Sequence, residues 1–234
     1  MSIYLTPACP GKEGSMNRSI HKLIDEQVKR WEMQKTQDVK PLETCRVITI
    51  SRERGSHGQQ VAATLAQALG FDLFHHEILE SMIQETQNAK VLLETLDEKG
   101  MNIVEDLVLA LVHEHHLWPD EYSKALLRVL NTIGRHGNAV ILGRGANFAL
   151  KNINALRVRI VAPDALRRKV VQHEQDLNAE DAQKMMVSTD ANRTAFIRRY
   201  FNADTEDPAN YDLVLNTGTL SVEKAVSIIQ SALA

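Results

Sequence analysis

Arg46 to Val61 reads Arg-Val-Ile-Thr-Ile-Ser-Arg-Glu-Arg-Gly-Ser-His-Gly-Gln-Gln-Val, and this stretch constrains the fold most. Val47, Ile48 and Ile50 are β-branched residues suited to a buried strand. Gly55 and Gly58 break the run, after which Val61, Ala62, Leu65, Ala66 and Leu69 recur at helical spacing up to Gly70. A strand, a glycine turn and a helix in succession aim backbone N–H groups and a helix N-terminus at one point, which is the layout of a phosphate cradle.

The standard cradle reads G-x-x-x-x-G-K-[ST]. With Gly55-Ser56 set against the Gly-Ser often found inside that loop, Arg52 stands at the first glycine, His57 at the second, Gly58 at the lysine and Gln59 at the hydroxyl residue. The lysine that reaches the β/γ-phosphates and the hydroxyl that holds Mg²⁺ are therefore both replaced. Arg52 and Arg54 can restore positive charge, because a guanidinium binds phosphate through a fixed fork. The competing reading is an ordinary tight turn with solvated arginines.

A second strand-to-turn junction repeats the theme. Asn138 to Leu142 is a buried-strand run that stops at Gly143-Arg144-Gly145. In parallel α/β sheets ligands sit outside the carboxyl ends of the strands, so Arg144 and the Gly55 turn belong on one edge of one sheet. Further strands are expected at Phe71–Phe74, Leu156–Val161 and Tyr211–Leu215, alternating with helices. Five strands so spaced imply an α/β fold with a mostly parallel sheet covered on both faces. A long helix is expected over 88–117, another after Pro119-Asp120, a short polar one from Asn178 and a further one carrying Asp190, Arg193, Arg198 and Arg199.

Ahead of this pattern, residues 16–36 place Ile20, Leu23, Ile24, Gln27 and Trp31 on one helical face. Residues 1–40 are thus read as an extension with an amphipathic helix, and 41–234 as the main domain. The stripe is expected to pack on its own domain or to form a homodimer contact. Pro41 ends the connector.

Composition bounds the remaining classes. A formal charge of −3 gives no sign of nucleic-acid binding, and Cys9 and Cys45 fit neither a zinc spacing nor a disulfide framework. No apolar run approaches about 18 residues, and the N-terminus lacks a signal-peptide layout, so a cytoplasmic protein without a membrane segment is expected. No metal site is expected. His75 and His76, adjacent at a strand end, point to opposite faces. His113-Glu-His115-His116 lacks the i, i+4 pair of H-E-x-x-H.

Taken together and in order, four segments make residues 46 to about 230 resemble the cytidylate-kinase-like branch of the nucleoside monophosphate kinases. They are Ile-Thr-Ile-Ser-Arg-Glu-Arg-Gly-Ser-His-Gly, Ala-Val-Ile-Leu-Gly-Arg-Gly-Ala-Asn-Phe, Leu-Arg-Val-Arg-Ile-Val-Ala-Pro and Tyr-Asp-Leu-Val-Leu-Asn-Thr-Gly-Thr-Leu-Ser. The divergent branch is similar in having Ser-Arg-x-x-Gly-Ser-x-Gly at the loop. The resemblance implies a P-loop kinase fold with a mobile lid, and transfer of phosphoryl from ATP, with Mg²⁺, to a pyrimidine nucleoside monophosphate. It implies nucleotide contacts from Arg52, Arg54, Gly55, Ser56, His57, Gly58 and Gln59. It implies acceptor contacts from Gly143 and Arg144, although the family's following Asp is Gly145 here. Asp190, Arg193, Arg198 and Arg199 fall where the lid supplies its arginines. His75, His76 and Ser81 stand where true cytidylate kinases carry Asp, a hydroxyl residue and Arg. The alternative is a nucleotide-binding protein with a degenerate loop, catalytically weak or inactive, acting as a sensor or partner. More remote is a structural dimer module.

Overall fold

The computed structural model describes residues 13–35, 47–84, 92–114, 120–151 and 153–233. Cys9, Pro41, Cys45, His115 and His116, with the side chain of His113, lie outside the described residues.

Strand β1 (Val47–Arg52) lies at the centre of a five-stranded sheet with β2 (Asp72–Phe74), β3 (Ala139–Leu142), β4 (Ala155–Val161) and β5 (Leu213–Asn216). The order is β2-β3-β1-β4-β5, and every pairing is parallel. The chain leaves β1 for β2 on one side and later crosses to β4 and β5 on the other. The carboxyl end of β1 is therefore the switch point at which such sheets open a crevice.

Strand alternation divides the core in two. Val47, Ala139 and Ile141 face one cluster, while Ile48, Ile50, Val140, Leu142, Val158 and Ile160 face the other. Register keeps the faces consistent, since Ile48 lies opposite Val140 and Ile50 opposite Leu142. The second face is closed by α2 (Gly58–Leu69) and α9 (Val222–Ala232), through Val61, Leu65, Val226 and Ile229. Gly70 ends α2 in the left-handed region, and the Ser221 hydroxyl accepts the Lys224 N–H at the start of α9.

The first face is covered by α1 (Glu13–Lys35), α3 (His76–Gln84), α4 (Glu98–Glu114), α5 (Glu121–His136) and the short α6 (Ala146–Ala149). The apolar stripe of α1 is used within this chain. Ile24 and Trp31 join the core, and Trp31 stacks on the His136 ring at 4.2 Å. Gln27 and Arg30 reach Asp72 at the start of β2.

Two helix expectations change. The described part of the 88–117 run does not form one helix: α4 begins at Glu98, because the Asp97 carboxylate accepts the Gly100 N–H at 2.8 Å and caps a new start. The two helices expected after Asn178 are a single one. Following α7 (Asp164–Gln175), α8 runs unbroken from Ala179 to Phe201, capped by the Asn178 side chain. The pair α7 and α8 stands over the carboxyl edge of the sheet, with Ile197 and Phe201 joining the first core cluster.

Candidate functional site

The loop between β1 and α2 takes its shape from two residues with positive φ. Gly55, at φ 80°, lies where a Cβ would strike the Arg167 backbone carbonyl, so only glycine lets α7 seat against the loop. His57, at φ 57°, caps α2. Ser56 is fully buried, and its hydroxyl donates to the Glu53 and Ile160 carbonyls at 2.9 and 3.2 Å. It therefore fixes the turn from within. Residues Arg52 to Gln60, with Glu174 and Arg193, line a small cavity of about 40 Å³ at the N-terminus of α2.

Beside it opens a larger cavity of about 590 Å³ along the carboxyl ends of β1, β3 and β4 and under α8. Five arginines line it: Arg52, Arg144, Arg159, Arg167 and Arg193. Arg52, Glu53 and Arg193 border both cavities.

Asp190 on α8 ties the arginines to the loop. One oxygen accepts the Arg54 backbone N–H at 2.9 Å and faces Arg193 at 3.4 Å, while the other pairs with Arg167. Arg193 also donates to the Arg52 carbonyl at 3.2 Å. Burial lowers the Arg193 pKa, and Asp190 offsets part of that shift. Arg167 donates to the Arg54 carbonyl at 3.0 Å and meets Asp164 at 3.2 Å. Glu53 accepts the Ala162 N–H at 3.0 Å. The Arg54 side chain turns away to Glu174 at 3.1 Å.

A second group surrounds Arg144. Its guanidinium reaches Glu80 at 2.9 Å and His76 at 3.0 Å and lies 4.8 Å from the Phe196 ring centre. The Tyr122 hydroxyl donates to the same Glu80 oxygen at 2.6 Å, and burial together with this bond raises the phenol's pKa. Burial and the neighbouring Arg144 charge lower the pKa of His76, which favours the neutral ring. His75 instead pairs with Glu77 at 2.6 Å, and that bond lowers the Glu77 pKa to about 2.

Of the residues singled out in the sequence, the larger cavity gathers Arg52, His76, Gly143, Arg144, Asp190 and Arg193, and the smaller one gathers Arg54, Gly55, Ser56, His57, Gly58 and Gln59. Arg198 is exposed on α8, and Arg199 pairs with Asp120 at 3.6 Å; neither lines the larger cavity. Arg193 and Arg198 are five residues apart, about 140° around a helix, so both cannot face the loop. Sequence reasoning missed Glu53, Asn147, Arg159 and Arg167 as wall residues, and Glu80 as the partner of Arg144. A charged residue near the carboxyl end of an interior strand was a readable signal for Arg159. Asn147, with a buried amide nitrogen that has no partner, carried none.

Several cations and backbone donors around connected cavities suit a ligand with more than one phosphate. The profile of the cytidylate kinase-like family matches residues 47–219, and the chain belongs to that family. A cytidylate kinase of Natronomonas pharaonis is 25% identical over 187 residues, covering 80% of this chain and 88% of that protein. A cytidylate kinase of Pyrococcus abyssi is 27% identical over 190 residues, covering 81% and 94%. The crystal structure of an uncharacterized protein from Eubacterium ventriosum superposes with a TM-score of 0.57 at 21% identity, over 80% of this chain and 97% of that one, a likeness of fold.

Proposed function

We propose that this member of the cytidylate kinase-like family transfers the γ-phosphoryl group of ATP to a pyrimidine nucleoside monophosphate, with cytidylate as the first acceptor to test. The observation that carries the reading is the arginine-lined cavity opening beside the β1–α2 turn, with Arg52 and Arg193 on the border of both spaces. ATP phosphates would lie on the turn at Gly55–Gly58, and the acceptor phosphate near Arg144.

The chemistry asks little of the protein beyond position and charge. An anionic phosphate oxygen of the acceptor forms the new bond to the γ-phosphorus. The bond from that phosphorus to the β,γ-bridging oxygen breaks, and its electron pair leaves with ADP. No proton has to be removed from an ionised acceptor oxygen. Arg193, paired with Asp190, and Arg144, paired with Glu80, would stabilise charge at the two ends of such a transfer.

Kinase chemistry implies Mg²⁺ with the ATP. Ser56 does not suit it, because its hydroxyl is committed to two carbonyls, and among the described residues no group of three or more ligating side chains converges. Glu53 and Asp164 are wall carboxylates able to join an ion that phosphates and waters mostly hold. Bound there, Mg²⁺ would neutralise charge on the β- and γ-phosphates.

A second reading, a nucleotide-binding protein without useful catalysis, is favoured by Gly58 at the lysine position and by the inward Ser56 hydroxyl. Radiolabelled γ-phosphate transfer to a panel of nucleoside monophosphates, beside ATP calorimetry, separates the two. Transfer supports the kinase. Binding without transfer supports the second reading, and no binding with Mg²⁺ present overturns both.

A further inference from the structure

We propose that Arg52 replaces the missing loop lysine through an exchange of positions, its guanidinium bridging the transferring phosphoryl group and the acceptor phosphate. This inference rests on the phosphotransferase reading above. In the standard loop the first position is glycine and the seventh is lysine. Here the first is Arg52 and the seventh is Gly58. The two positions touch, since a Cβ at Gly58 would meet the Arg52 Cβ and lie 3.0 Å from its Cγ. A side chain at 58 and a long side chain at 52 therefore compete for one space. A cation can leave the loop from either position, with glycine at the other.

The direction of Arg52 follows from a second contact. A Cβ at Gly143 would collide with the Arg52 Nη1, so the guanidinium lies at the carboxyl end of β3, next to Arg144. Gly143, at φ 85°, leaves that space open. The side chain thus crosses from the phosphate turn to the acceptor side, consistent with its place on the wall of both cavities.

The other wall arginines have partners. Arg144 has Glu80, Arg167 has Asp164 and Asp190, Arg193 has Asp190, and Arg159 has the Ser51 hydroxyl at 3.1 Å. Arg54, the other loop arginine, is held by Glu174. Among the described residues no carboxylate pairs with Arg52. Burial first and the charge of Arg193 second lower its pKa to about 9, with the Glu77 charge opposing part of the shift. An unpaired cation kept in such surroundings costs stability, and a phosphate placed between two cavities would relieve that cost.

The test combines Arg52→Gly, Arg52→Lys and the exchange double Arg52→Gly/Gly58→Lys. Each is measured for transfer from ATP to CMP and for calorimetric binding of ATP, of CMP and of a dinucleoside polyphosphate joining adenosine to cytidine. Arg52→Gly is expected to lower kcat by ~10²–10³-fold. It should weaken the joined ligand by ~10-fold or more, beyond its combined effect on ATP and CMP. The double variant is expected to recover at least ~10-fold of kcat over Arg52→Gly, and Arg52→Lys to fall between. Unchanged kcat and unchanged affinity for the joined ligand in Arg52→Gly overturn the assignment, as does a double no better than the single. If the wild-type protein transfers nothing to any nucleoside monophosphate, the phosphotransferase reading fails. The joined ligand then decides the placement of Arg52 alone, where equal binding by wild type and Arg52→Gly overturns it. Thermal melts confirm folding, and the apo Arg52→Gly protein is expected to melt no lower than wild type.

Discussion

The Asp190 carboxylate accepts the backbone N–H of Arg54 at 2.9 Å, across 136 positions of sequence. This bond joins α8 to the turn that would hold phosphate, and Arg193 repeats the join by donating to the Arg52 carbonyl. The carboxylate thus offers the loop an anion of the protein's own. Asp190→Ala leaves Arg167 and Arg193 short of their shared counter-charge and is expected to lower stability by about 1–3 kcal/mol in urea unfolding. Saturating ATP should narrow the gap, because phosphate oxygens can meet the same guanidiniums. A gap unchanged by ATP would place the nucleotide phosphates away from this cluster.

Arg144 is held from three sides by Glu80, His76 and Phe196, which fixes a guanidinium at the end of β3 before any ligand arrives. Arg144→Ala is expected to weaken CMP binding by roughly 10–100-fold, the range for one charge-assisted contact, with ATP affinity nearly intact. Calorimetry with each nucleotide separates the two. Equal losses for both would contradict an acceptor role.

Gly55 combines φ 80° with a backbone carbonyl where its Cβ would go. Gly55→Ala therefore forces the turn and α7 apart. The expected cost is on the order of 1–3 kcal/mol, together with loss of ATP binding. ATP affinity that survives in this variant would move the phosphate site off the turn.

The sheet and the turn were legible because both rest on local signals. Buried β-branched runs gave the strands, and glycine spacing gave the β1–α2 junction. The absence of glycine and proline between Ala179 and Phe201 equally marks α8 as one helix, a signal overridden by the polar look of its first turns. Apolar periodicity over 88–117 concealed the Asp97 cap, since one capping carboxylate does not interrupt a pattern of that length. Asp190 was singled out in the sequence, but its part as a hub was not legible, for a different reason. Its neighbour Arg193 is local, but its other partners lie on the turn and α7, which no pattern around residue 190 reveals. The contact of Arg52 with Gly58 is intermediate. The altered loop positions are visible in the sequence, but their competition for one space is visible only in three dimensions.

His136 supplies a pH dependence. Burial against Trp31 lowers its pKa from 6.5 to about 4, and its Nε2 lies 2.8 Å from the Thr95 hydroxyl. The folded protein holds this ring neutral, whereas the unfolded chain takes up a proton below its ordinary pKa. The unfolded state thus binds more protons between about 6.5 and 4, and stability falls as pH falls through that window. The loss attributable to His136 is expected to reach roughly 2–3 kcal/mol near pH 4 and to be absent above pH 7. Urea unfolding of His136→Phe, which keeps an aromatic face for Trp31, should show a shallower decline. An identical decline would assign the acid sensitivity to other groups.

Helix α1 reaches the site through α3. Trp31 is 4% exposed and sits between the rings of His136, at 4.2 Å, and Phe74, at 6.1 Å. A helix of this length holds its shape poorly alone in water, so it is its apolar face that secures it. Trp31→Ala is expected to cost about 3–5 kcal/mol, as for other buried tryptophans. The functional effect should be one-sided. α1 packs on α3, and α3 carries the His76 and Glu80 that hold Arg144, whereas the phosphate turn lies between β1 and α2. CMP affinity is therefore expected to fall several-fold while ATP affinity stays within about twofold, scaled to the loss of a positioning contact. Molecular mass by light scattering should not change, because Ile24 and Trp31 are covered by this chain's own core. A halved mass would give α1 a partner subunit as its second surface. Equal weakening of both nucleotides would mean that α1 supports the whole carboxyl edge of the sheet rather than its acceptor half.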